Sequence, residues 1–125
     1  MLLWVFVGGL GCDPGVEPEP SIPTFSEVRD QVLMPSCGFS SCHGEGAGGL
    51  TLEEESAFDA LVGVASVQVP ELSLVEPGVP EESYLMLKMD DDPGILGDPM
   101  PPGSGMEQDR VEMVRAWIES GALDD

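Results

Sequence analysis

Basic residues are nearly missing from this chain. Arg29, Lys88, Arg110 and Arg115 stand against 24 acidic residues, for a formal net charge of −20. A surface of that sign repels nucleic acid and anionic membranes, which argues against both as ligands. It suits a partner protein with a basic docking face, chiefly by speeding encounter, or else it only keeps the protein soluble. Long apolar runs are absent too. Met1 to Leu10 is almost wholly apolar but spans only ten residues, about half of what a membrane-crossing helix needs. Histidine occurs once, at His43, so no chemistry that needs two imidazoles can be built. The acids are nevertheless interleaved with regularly spaced apolar residues, so the composition is that of a folded domain rather than a disordered one. At 125 residues the chain has room for one domain with a leader.

The apolar run matches the hydrophobic part of a secretion signal and ends in Gly11-Cys12. This resembles the lipobox of bacterial lipoproteins, with Cys12 as the lipid-bearing residue. Leu10 stands two residues before the cysteine rather than three, with Gly9 in leucine's usual place, and no lysine or arginine precedes the run. Residues 1–12 are therefore expected to be an export leader and 13–23, rich in proline and acid, a tether. Residues 24–125 form the domain. The expected location is the periplasm or cell envelope, with membrane contact only through the lipid anchor.

Seven residues concentrate the chemistry: Cys37-Gly38-Phe39-Ser40-Ser41-Cys42-His43. Two thiols followed directly by an imidazole suit covalent haem attachment, in which each thiol adds to a vinyl group and the imidazole ligates iron. Four residues separate the cysteines where two are usual, so two extra residues must bulge outward for Cys37 to reach its vinyl. Three other readings use the same residues. Cys37 and Cys42 can close a small disulfide in an exported protein, leaving His43 on the surface. The three side chains can hold zinc with a carboxylate such as Glu45. Or the stretch is a plain loop. If Cys12 carries lipid, Cys37 and Cys42 remain as a pair.

Around this loop the pattern is helical. Thr24 and Glu27 have capping-box spacing, Phe25, Val28, Val32 and Leu33 follow at helical intervals, and Pro35 is expected to stop the run. Glycines 44, 46, 48 and 49 allow close approach to a flat ligand, or simply make a flexible loop. A second helix is expected over Glu53–Val62, with Phe58, Leu61 and Val62 inside and three glutamates at its positive end. Residues 63–78 lack a helical period, and a carbonyl there is expected to accept the second ring N–H of His43. A third helix is expected to start near Pro80 and to carry Tyr84 and Lys88, read as a core-edge tyrosine and a solvated lysine in preference to partners of haem propionates. Asp90-Asp91-Asp92 lacks the spacing of a calcium loop and reads as a solvated turn. The clearest helix lies between Gly105 and Gly121, with Val111, Val114 and Ile118 as its stripe and Trp117 placed near Phe25.

Between the last two helices stands Gly97-Asp98-Pro99-Met100-Pro101-Pro102-Gly103. Proline holds its neighbours extended, so Met100 is presented from a stiff loop. A thioether suits iron, and histidine with methionine is the axial pair that raises a cytochrome's potential. The alternative is a loop methionine filling a gap. Met86, Met89, Met106 and Met113 fall within or beside helical apolar patterns and are weaker candidates.

Taken in order, Cys42-His43-Gly44, Gly48-Gly49-Leu50, Val75-Glu76-Pro77-Gly78-Val79-Pro80 with Ser83-Tyr84-Leu85, Met100-Pro101-Pro102, and Trp117-Ile118 with Gly121-Ala122 resemble the small class I-like mono-haem cytochrome c domains. The closest are those of planctomycete and myxobacterial exported proteins. The resemblance covers roughly Thr24 to Leu123. It implies an all-α fold of about four short helices with long loops around one haem c. It also implies thioethers at Cys37 and Cys42, His43 as proximal ligand and Met100 as distal ligand. The function it implies is electron transfer to a redox partner protein rather than catalysis, since iron held from both sides has no open position for substrate. The alternative from another class is a non-redox binding or structural module closed by a Cys37–Cys42 disulfide.

Overall fold

The computed structural model describes Gly8, Gly9, Gly11, Gly15, residues 21–103 and residues 105–125. Most of the expected leader, including its lipidation residue Cys12, and most of the tether lie outside the described residues. The rest is helical with long connections, and no strand forms among the described residues beyond isolated bridges.

Helix α1 (Phe25–Val28) begins as its sequence dictates. The Thr24 hydroxyl accepts the Glu27 N–H at 3.2 Å, and the Glu27 carboxylate accepts the Thr24 N–H at 2.8 Å. Two of the N–H groups that a helix start leaves unpaired are thereby satisfied. The Ser26 N–H and hydroxyl donate to the Asp125 carboxylate at 2.8 and 2.6 Å, which ties the C-terminal residues to this helix and holds the Asp125 carboxyl below its ordinary value.

Pro35 does not stop the run. The chain continues from α1 through a π-helical stretch, Arg29–Leu33, into α2 (Met34–Cys37). A proline in a helix lacks an N–H and collides with the carbonyl four residues back. Here that residue is Gln31, inside the wider π turn, which gives the ring room. Cys37 therefore ends a helix instead of starting a loop.

Helix α3 (Ala57–Leu61) is shorter than expected. Glu53 precedes it, and its carbonyl accepts the Ser56 and Ala57 N–H groups as a turn, with the three glutamates exposed. Pro80 opens a 3-10 turn, Pro80–Glu82, rather than helix α4 (Tyr84–Met89), which follows it. Between them, bridges Val62–Val75, Ala65–Ser73 and Ser73–Ser83 fold the 62–83 segment into a wall. The buried Ser83 hydroxyl fastens its end, accepting from the Glu76 N–H and donating to the Val79 carbonyl, both at 2.9 Å.

Helix α5 (Gln108–Glu119) buries Val111, Val114, Trp117 and Ile118. Trp117 meets Phe25 with ring centroids 5.3 Å apart, and Phe25 meets Phe58 edge-on at 5.2 Å. The first and last helices thus close one core around three aromatic rings. Trp117 is 1% exposed, and its indole N–H donates to the Leu123 carbonyl at 3.0 Å. Trp117→Ala is expected to cost about 3–5 kcal/mol, a large share of the roughly 5–15 kcal/mol that holds a domain together. Urea unfolding followed by circular dichroism measures it. A loss below about 1 kcal/mol would mean the indole is not the keystone of this core.

Candidate functional site

The cysteine loop leaves α2 and returns within one turn. The Gly38 N–H donates to the Leu33 carbonyl at 2.9 Å, the Cys42 N–H to Phe39 at 2.9 Å, and the His43 N–H to Cys37 at 3.0 Å. Phe39, Ser40 and Ser41 are exposed. The extra residues of the four-residue gap therefore bulge outward, and His43 comes back to within a hydrogen bond of Cys37. Gly44 makes the tight return possible. A Cβ there would stand 2.6 Å from the Gly38 carbonyl oxygen and 2.8 Å from that of Phe39, both backbone atoms with no freedom to yield.

Both thiols are free and half-buried. Burial, with Cys42 beside it, pushes the Cys37 thiol up to about 11 from an ordinary 9.0. Thiolate is the reactive form. At pH 8, folded Cys37 in the haem-free chain should alkylate on the order of 100-fold more slowly than in urea, because the thiolate fraction falls about tenfold for every unit by which a pKa rises. Its rate should climb until the pH passes about 11. Equal rates in buffer and urea would show the thiol to be solvated.

His43 is oriented by its own loop. Its Nδ1 lies 3.1 Å from the Leu50 carbonyl oxygen. A carbonyl only accepts, so Nδ1 carries the hydrogen and, in the neutral ring, Nε2 keeps its lone pair for a metal. The Leu52 N–H in turn donates to the His43 carbonyl at 2.6 Å. The acceptor expected within residues 63–78 is instead Leu50. The reason is the backbone of the glycine turn, in which Gly46, Gly48 and Gly49 all have positive φ. This curls the chain back over the imidazole, and a Cβ on Gly48 would sit 3.8 Å from His43 Cε1.

Two cavities flank this histidine. The larger, about 480 Å³, is walled mainly by apolar side chains, among them Leu50, Leu52, Leu61, Val64, Leu74 and Leu85. It falls within the roughly 300–1,000 Å³ usual for ligand and cofactor sites. The smaller, about 170 Å³, lies among Cys37, Cys42, His43, Met100, Pro101 and Pro102. Cys37, His43, Gly48 and Met100 border both. All four sequence-predicted residues of the domain thus converge on one hollow. Of the other methionines, Met89 also borders the larger cavity, Met86 is fully buried, and Met106 and Met113 pack half-buried against the core.

This hollow suits haem in three respects: an apolar slot, an imidazole with its lone-pair nitrogen left available, and two thiols with a thioether at the rim. Among the described residues no three His, Cys, Asp or Glu side chains converge where a metal ion could be held, and Glu45 is exposed.

One wall carries polar groups whose burial differs from what their residue types suggest. Lys88, expected in solvent, is 7% exposed. Its amino group donates to the Leu96 carbonyl and, at 2.9 Å, to that of Asp98. Tyr84 is buried, donating to Gln68 Oε1 at 2.9 Å and accepting the Leu96 N–H at 3.0 Å. The Asp90–Asp92 segment is a turn, as expected. Asp90 pairs with Arg115 at 2.7 Å, and Asp92 accepts the Gly94 N–H at 2.8 Å. No described helix is long and apolar enough to cross a membrane.

The chain matches no protein-family model, no curated protein and no solved structure with which it was compared.

Proposed function

We propose that this domain is a mono-haem c-type cytochrome with a cytochrome c-like all-α fold, exported and carrying single electrons to and from a partner protein. One observation carries the reading: the only histidine and the proline-flanked Met100 border the same two cavities, with both thiols at their edge. Haem bound there supplies a one-electron couple. Cys37 and Cys42 would tether it, and His43 Nε2 and the Met100 sulfur would hold its iron. The Leu50 carbonyl fixes the ring plane and tautomer of His43, as partners beyond the ligands do in metal sites. The apolar walls exclude water, which holds the site at low dielectric.

The protein's task is then to set a potential and to dock, not to transform a substrate. The charge of −20 suits a partner with a basic face, and a lipid on Cys12 would keep the carrier at the envelope surface. The test is expression in a host that exports the chain and attaches haem. Purified protein should absorb as a c-type cytochrome, stain for covalent haem after denaturation, and gain the mass of one haem. Intact mass short by two hydrogens, with no haem absorbance, would replace this reading with the disulfide-closed module.

A further inference from the structure

The ligand set leaves a buried amino group unexplained. Lysine is almost never fully buried without a partner, yet Lys88 makes no ion pair with a carboxylate among the described residues. Its partners are backbone carbonyls of one loop, those of Leu96 and Asp98. Tyr84, one turn earlier on the same face of α4, lies with its ring 5.6 Å from the amino group and holds the Leu96 N–H. The Lys88 carbonyl accepts the Met100 N–H at 2.9 Å. Segment 96–100 has no regular structure of its own, and these bonds from two residues fasten it at its start, middle and end.

We infer that Lys88 and Tyr84 are the positioning residues of the Met100 loop, setting where its sulfur stands in the cavity. This rests on Met100 as the distal ligand proposed above, but the clamp itself can be tested without haem. A lysine suits the place because it supplies several donors from one atom to carbonyls that no backbone N–H reaches among the described residues. Its cationic head strengthens each bond relative to a neutral donor.

The experiment compares Lys88→Met and Tyr84→Phe with the parent, in the full chain. The Met100 amide is the reporter in native-state hydrogen exchange, because its acceptor is the backbone carbonyl of residue 88, which both substitutions keep. Its exchange should become at least about tenfold faster in each variant, as the loss of a charge-assisted or buried bond implies, while the Val114 amide in α5 keeps its rate. Should Lys88→Met fail to fold, Tyr84→Phe decides alone. In haem-loaded protein the same variants should lose or weaken the sulfur-to-iron absorption band. An unchanged Met100 amide, or equal acceleration of Met100 and Val114, overturns the clamp. A parent that takes up no haem overturns the function proposed above instead, with the exchange result still deciding the clamp.

Discussion

His43→Ala is expected to lower covalently bound haem at least tenfold, roughly the loss that removing even a supporting residue of a metal site can bring. His43 is the only imidazole in the chain, so no neighbour can take its place. The fold should survive. His43 is half-buried, and its ring makes one hydrogen bond, to the Leu50 carbonyl, worth about 1 kcal/mol. Helical circular dichroism and the urea midpoint should therefore stay close to the parent's while haem absorbance falls. Undiminished haem in the variant would remove His43 from the ligand set. A collapse of helicity would make the imidazole a structural group.

Met100→Ala is expected to act on the spectrum and the potential rather than on haem content. Alanine keeps the N–H that donates to Lys88, so the loop retains that bond while the sulfur is lost. The weak sulfur-to-iron band should vanish. The reduction potential should fall by on the order of 100 mV or more, within the roughly 0.8 V that axial ligands command. Its direction follows from methionine's preference for the reduced iron, which is why the histidine–methionine pair raises potential. Met89→Ala is the control, since Met89 is the other methionine on the larger cavity. A band that survives Met100→Ala and disappears in Met89→Ala would move the ligand from the loop to α4.

Features decided within a few residues are legible in the chain's local pattern. The Thr24–Glu27 capping box forms because both partners lie within one helical turn. The α5 stripe of Val111, Val114 and Ile118 is buried because that spacing puts all three on one face. Even the meeting of Trp117 with Phe25 follows from two helices each having one apolar side to hide. The thiols, the imidazole and the loop thioether are recognisable by chemical type, since few other residue sets offer that combination.

Other features depend on groups distant in the chain. Pro35 reads as a stop, and it passes only because a π turn widens the helix beneath it. The partner of His43 is Leu50 because three left-handed glycines choose the path of the turn, and composition alone does not say which way a glycine turn curls. Lys88 reads as solvated because lysine usually is. Its burial requires the Leu96 and Asp98 carbonyls to be brought over the end of α4. Sequence by itself determined which side chains can do chemistry here and which helix faces must be covered. Tertiary structure alone decided that His43 and Met100 border one hollow, because a distance between remote residues is set by the packing of everything between them.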